Sequence, residues 1–168
     1  MITKQEEFTL KDLFAVLFKD DRLLFDDFVN QYGIDSVEKR DKRNLLAYTI
    51  LQKKDDLSKL LIDSGININY QEKTGYSALH FAVQENNVDI VLKLIEKKSV
   101  IDIQDTNGNT PLWRALFNRQ STNPQIIISL LRAGADLNKE NNHGIAPKKY
   151  LDLLPDDNEI KLWIETTK

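Results

Sequence analysis

Apolar positions between residues 45 and 131 fall into two interleaved tracks that repeat at one interval. In the first track, Ala78-Leu79-His80-Phe81-Ala82 is echoed by Pro111-Leu112-Trp113-Arg114-Ala115, and Leu45-Leu46-Ala47-Tyr48-Thr49 stands the same distance upstream. In the second, Leu57, Leu61 and Ile62 are matched by Ile90, Leu94 and Ile95, then by Ile126, Ile127, Leu130 and Leu131. Only Leu60 breaks the match, its counterpart being Lys93. Within each stretch the apolar residues return after three or four positions, which places them on one face of a helix. The pattern therefore predicts short amphipathic helices in pairs, the pair being the repeating unit.

The interval is marked by glycines. Gly75 and Gly108 stand 33 positions apart, and Gly144 follows 36 positions later. The surplus of three falls in Arg119-Gln120-Ser121-Thr122-Asn123-Pro124, a polar stretch ending in proline, which predicts a lengthened loop. Each second helix closes on a similar tail: Gly65-Ile66-Asn67-Ile68-Asn69, Lys98-Ser99-Val100-Ile101-Asp102 and Gly134-Ala135-Asp136-Leu137-Asn138. Gly65 and Gly134 stand where a helix takes a left-handed cap residue. Lys98 occupies the same place and predicts a strained or a loosened turn.

These segments resemble the ankyrin repeat, whose pattern is a glycine turn, Thr-Pro-Leu-His opening a short helix, a second helix, and a Gly-Ala-Asp-Val-Asn-like close. Thr110-Pro111-Leu112 and Gly134-Ala135-Asp136-Leu137-Asn138 match closely, and Ala78-Leu79-His80 keeps the leucine and histidine. The resemblance implies an all-α solenoid of about five stacked helix-turn-helix units with short β-hairpin turns, forming one domain over residues 1–168. Repeats are expected at 39–71, 72–104 and 105–140, with N-terminal capping helices in 7–36 and a C-terminal capping repeat in 141–168. Each motif position has a physical role. Glycine permits positive φ in the turn, proline loses no needed hydrogen bond at the first helical position, and the preceding Ser or Thr caps the helix. A single unit cannot bury its apolar face alone, so stacking makes the core.

The outer units are degenerate. Leu10 to Phe18 and Leu23 to Val29 read as two short amphipathic helices, and Gly33 stands 32 positions before Gly65, as in a first unit that has lost its turn. Downstream, Pro147 to Leu154 and Asp157 to Thr166 predict two more helices separated by Pro155, with Trp163 and Ile164 sealing the last interface. Lys148 stands where the pattern has leucine, so the final unit is expected to pack loosely.

Composition narrows the function. The 168 residues fit a single domain, and the absence of cysteine excludes disulfides, thiolate nucleophiles and cysteine metal sites. No apolar run approaches the roughly 20 residues that cross a bilayer. The stretch Met1 to Phe8 turns acidic where a signal peptide would be apolar, so a cytoplasmic location and no membrane partner are expected. A net charge of −3 weighs against nucleic acid as the partner.

Chemistry-bearing residues are few. Of the two histidines, His80 falls on the motif histidine, which the resemblance implies ties neighbouring turns, and His143 reads as a turn residue. No spacing matches a zinc site, a phosphate-cradling loop or a nucleophile elbow, so no metal or cofactor is expected. The acid pairs Asp20-Asp21, Asp26-Asp27, Asp55-Asp56 and Asp156-Asp157 read as caps and helix-dipole partners near helix starts rather than as a glycosidase pair. The chain is read as non-enzymatic.

The resemblance implies binding of another protein on a concave face made by the hairpin tips and the exposed side of the first helices. Transferred by position, the tips comprise Arg40, Asp41 and Arg43; Lys73, Thr74 and Tyr76; Thr106, Asn107 and Asn109; and Asn142 with His143. The helical positions are Leu51 and Gln52, Gln84 and Glu85, and Phe117 and Asn118. Tyr76, Trp113 and Phe117 are aromatic where the family tolerates polar residues, and are expected at the centre, flanked by Lys73, Glu85, Asn109 and Arg114. Trp113 replaces the motif histidine, so this unit is expected to give up a structural hydrogen bond. The alternative is that Trp113 and Phe117 fill gaps between units. The basic run Glu38 to Arg43 reads either as a solvated tip or as a contact for phosphate or an acidic partner.

The expected function is stoichiometric protein binding, with binding itself as the output. The leading specific reading is a bacterial immunity protein or inhibitor, monomeric on its own, whose acidic charge would suit a basic toxin. The alternatives are an effector or adaptor that engages a eukaryotic protein and an accessory subunit of an enzyme.

Overall fold

The computed structural model describes residues 7–9, 13, 22–156 and 158–166. Two short strands, β1 (Glu7–Phe8) and β2 (Val37–Glu38), pair in parallel and bracket α1 (Arg22–Tyr32). Three helix pairs follow: α2 (Leu45–Leu51) with α3 (Asp55–Asp63), α4 (Ala78–Gln84) with α5 (Val88–Glu96), and α6 (Pro111–Phe117) with α7 (Pro124–Arg132). The chain closes with α8 (Lys148–Leu151) and α9 (Glu159–Thr166).

Each pair packs within itself and against the next. The first helices α2, α4, α6 and α8 form one row, and α3, α5, α7 and α9 form the other. The two apolar tracks meet between the rows. Leu46, Leu79 and Leu112 from the first, and Leu61, Leu94 and Leu130 from the second, are all but inaccessible and belong to one continuous core. Each buried leucine contributes about 2 kcal/mol relative to exposure, so the stack rests on this periodicity. Local signals start the helices. Asn44 caps α2 and Thr110 caps α6 through their side-chain oxygens, Pro111 occupies the first turn of α6, and Asp55 and Asp56 lie in the first turn of α3. Asp26 and Asp27 lie mid-way along α1 rather than at its start, which corrects the cap reading for that pair.

The lengthened loop is present. Residues 52–54 and 85–87 join α2 to α3 and α4 to α5, whereas residues 118–123 join α6 to α7. Asn86 holds the longer loop, accepting from the N–H of Asn123 (2.7 Å) and donating to the Ser121 carbonyl (3.3 Å). After the second helices, Gly65 (φ +86°) and Gly134 (φ +91°) are left-handed, and Lys98 is too, at φ +60°. The Lys98 turn is strained rather than loosened: its N–H still reaches the Ile95 carbonyl at 2.9 Å.

The ends depart further from expectation. The predicted helix Leu10 to Phe18 lies outside the described residues apart from Leu13, which is helical and fully buried. Leu23 to Val29 falls within α1, as read. Phe8 is the unexpected anchor, buried edge-on against Phe28 (5.2 Å), Tyr32 (6.4 Å) and Tyr48 (6.2 Å). At the other end the helix expected over Pro147 to Leu154 shrinks to α8. Within α8 only Leu151 is buried, Lys148 points to solvent and pairs with Asp152 (2.8 Å), and beyond it Leu153 is exposed, so little apolar surface holds a longer helix. Ile160, rather than Trp163, is the deeply buried residue of α9.

Candidate protein-binding face

The hairpin tips are built on buried acceptors. In the second tip, Glu72 accepts from the N–H groups of Thr74 (2.9 Å) and Tyr76 (3.2 Å). In the third, Asp105 accepts from those of Asn107 (2.8 Å) and Asn109 (3.0 Å); in the fourth, the Asn141 side chain accepts from those of His143 (2.9 Å) and Ile145 (3.0 Å). These three side chains follow the same 33- and 36-residue steps as the glycines, and sequence reasoning missed them. The burial of Asp105 opposes its charge. The Arg114 guanidinium (2.7 Å) and the donors of Asn109 and Asn107 outweigh that and hold its carboxyl below the usual carboxylate range.

The tips lie against one another. The N–H of Thr106 donates to the Thr74 carbonyl (3.0 Å) and that of Asn142 to the Asn107 carbonyl (3.0 Å). A Cβ on Gly75 would lie 2.6 Å from the Thr106 nitrogen, so glycine here answers to the neighbouring tip as well as to its φ of +81°. Gln71 and Gln104 bridge successive turns, each donating to a carbonyl of its own turn and to one of the next. In the first tip Lys42 takes the left-handed place of glycine, at φ +60°.

His80 joins the second unit to the third. Its Nδ1 accepts from the Ser77 N–H (3.2 Å), so Nε2 carries the proton and donates to the Asn109 carbonyl (3.1 Å). Burial pushes its pKa down to about 4, only partly offset by that bond, so the ring is neutral at pH 7. Trp113 makes the equivalent bond one unit on: its indole N–H donates to the Ile145 carbonyl (3.1 Å). The expectation that this unit gives up the hydrogen bond is therefore corrected. Trp supplies an N–H with the reach of imidazole.

The expected site residues differ in what they present. Arg40, Lys73, Thr74, Thr106, Asn107, Asn142 and His143 are exposed at the tips; Gln52, Gln84, Phe117 and Asn118 are exposed at the ends of the first helices. Asp41, Arg43, Leu51, Tyr76, Glu85 and Arg114 are half-buried. Asn109 and Trp113 are buried, and the Asn109 amide is engaged by Asp105 (3.3 Å) and Asn141 (2.8 Å), so both support the face from beneath.

The three aromatics expected at the centre fall into two clusters. Tyr76 packs on His80 (5.2 Å) and Phe81 (5.3 Å) beneath the Arg114 guanidinium (4.5 Å), and burial raises its phenol pKa. Arg43 lies over Tyr48 (5.9 Å) and Phe81 (5.6 Å) and extends this first cluster. In the second, Phe117 stacks flat on Trp113 (5.0 Å, 12°), and both meet Tyr150 edge-on (5.3 and 5.4 Å). Tyr150 was not foreseen, although it stands 36 positions after Arg114 in the register of Tyr48 and Phe81. Phe117 remains 51% exposed above this support. Among the described residues, no group of three or more His, Asp or Glu side chains converges as a metal site, and no helix is long and apolar enough to cross a membrane.

Comparison with known proteins agrees with this architecture. Residues 13–105 and 46–141 match the family model described as ankyrin repeats in three copies. An ankyrin repeat protein of Acanthamoeba polyphaga mimivirus is 38% identical over 72 residues, 43% of this chain and 10% of its own length. One from Rickettsia bellii is 34% identical over 92 residues, 53% of this chain and 13% of its own length. A nuclear factor NF-kappa-B subunit of Gallus gallus is 33% identical over 126 residues, covering 73% of this chain and 12% of its own length. The chain thus spans only about a tenth of the length of these curated relatives. With its repeating helix pairs, its hairpins bonded tip to tip and a family match running from residue 13 to residue 141, this chain belongs to the ankyrin repeat family, a fold of protein–protein interaction.

Proposed function

We propose that the chain binds a partner protein stoichiometrically through the concave face formed by its hairpin tips and the row α2, α4 and α6, with Phe117 as the central anchor. The observation that carries this reading is the state of Phe117. It is half exposed, yet stacked on buried Trp113 and braced edge-on by Tyr150. An aromatic ring already fixed in place loses little rotamer freedom on binding, and such rings dominate interface hot spots. Tyr76 and Arg114, half-buried and held together, extend the anchor toward the preceding unit.

The finer reading is inhibition by occupancy, the captured protein being a toxin or effector that is silenced while bound. An interaction fold acts on its partner by covering surface, and a standard interface needs about 800 Å² from each side. Affinity capture from the source cell, with mass spectrometry of what is retained, tests it. One stoichiometric partner that is toxic when expressed alone and harmless beside this chain is expected. A partner whose toxicity co-expression leaves unchanged rejects inhibition, and retention of a host protein or an enzyme complex assigns an adaptor or accessory role instead.

A further inference from the structure

The first two hairpin tips sort their charges. The run Glu38-Lys39-Arg40-Asp41-Lys42-Arg43 mixes acids and bases, but the fold does not expose them equally. Glu38 is only 4% exposed, its carboxylate accepting from the N–H groups of Arg40 (2.7 Å) and Asp41 (2.8 Å). Glu72, 6% exposed, is turned inward in the same way onto its own tip. Asp41 is held by Arg43 (2.9 Å) and by the Tyr48 hydroxyl (3.1 Å). The acids are thus engaged by the turns, while Lys39, Arg40 and Lys73 point to solvent and, among the described residues, make no ion pair.

These cations are arranged by the repeat itself. Arg40 and Lys73 stand 33 positions apart, in the same register on adjacent tips, and the tips touch through the Lys73 N–H and the Asp41 carbonyl (3.4 Å). The later tips present Thr106, Asn107, Asn142 and His143 in their place. Among the tips, free positive charge is therefore concentrated on the first two, on a chain whose net charge is −3. The overall charge suits a basic partner, but this part of the surface has the opposite sign.

We propose that the first two tips form a cationic subsite for an acidic segment of the partner protein, with Lys39, Arg40 and Lys73 facing its carboxylates. The proposal rests on the protein-binding reading above and names the chemistry of the partner. Nucleic acid is the less favoured occupant. Three cations neutralise few phosphates, and among the described residues no exposed aromatic ring alternates with them for base stacking.

The test is a titration of the full chain with three labelled probes: an end-blocked peptide of alternating glutamate and leucine, its lysine counterpart, and a thymidine oligonucleotide. The acidic peptide is expected to bind best and to weaken several-fold as salt rises from about 50 to about 200 mM. The Arg40→Glu, Lys73→Glu double variant, altered only at exposed side chains, is expected to lose about tenfold in affinity with an unchanged melting temperature. No binding of the acidic peptide, or equal binding by the variant, overturns the proposal, as does tighter binding of the oligonucleotide. Natural partner captured from cells separates the two readings. Loss of partner in Phe117→Ala but not in the charge reversal keeps the face and rejects the acidic subsite; loss in neither rejects both.

Discussion

Burial of His80 couples the stability of the stack to pH. The folded-state pKa of about 4 lies below the ordinary value of 6.5. Above about pH 7.5 the ring is uncharged in both the folded and unfolded chain, and stability is fully present. As pH falls from about 6.5 toward 4 the unfolded chain takes up a proton that the folded chain refuses, so stability drops by about 1.4 kcal/mol per pH unit until the folded ring also protonates. Urea unfolding between about pH 7.5 and pH 5, where carboxylates remain ionised, should show that slope in the native chain and not in His80→Gln. Equal slopes would mean that His80 is not held neutral. Lys98 gives a second prediction at this scale. Its left-handed backbone costs a side-chain-bearing residue roughly 1–2 kcal/mol, so Lys98→Gly is expected to raise the unfolding free energy by about 0.5–1 kcal/mol after the entropy of glycine is counted. Lys98 was legible in the sequence as an exception to a glycine column. The inward-turned acids Glu38, Glu72 and Asp105 were not, because a carboxylate reads as solvated until the turn geometry reveals the N–H groups around it.

At the scale of elements, helices and turns answer to different constraints. The helices and the lengthened loop were legible because burial selects the apolar period and insertions must fall between buried faces. The short α8 was not, since a run of residues that can form a helix does not say how much of it finds a surface to cover. Gly75 and Gly134 separate two demands on a turn. Both are left-handed, but a Cβ at Gly134 meets nothing within 4 Å, whereas one at Gly75 would strike the backbone of the next hairpin. Gly134→Ala should therefore cost about 1 kcal/mol, and Gly75→Ala distinctly more, in chemical denaturation. Equal costs would mean that the tips are not closely stacked. The Trp113 bond was hidden because comparison with a motif weighs residue identity, while the turn requires only an N–H donor at the right reach. Trp113→Phe keeps most of the ring and removes the donor, leaving the Ile145 carbonyl with the Asn141 N–H (3.2 Å) alone; a loss of about 1 kcal/mol is expected from the same measurement.

Across the whole molecule, the units share one core and one row of hairpins, so each tip carries the next and the face is as regular as the repeat. That regularity let tip and helix-end residues be placed by counting, and most of them are exposed. Counting did not reveal which side chains would meet. Tyr76 lies with Arg114 and Phe81, Trp113 passes beneath the surface, and Tyr150 arrives from the final unit to brace Phe117. The most direct test of a partner bound on this face is the affinity of a captured partner for two alanine variants of the chain. Phe117→Ala removes the anchor, and Leu92→Ala removes an apolar side chain of similar exposure, 42% against 51%, from the opposite row of helices. Binding through the hairpin and first-helix face predicts a loss of about thirtyfold for Phe117→Ala and no change for Leu92→Ala. Unchanged affinity in Phe117→Ala with loss in Leu92→Ala would move the interface to the outer helices and contradict it.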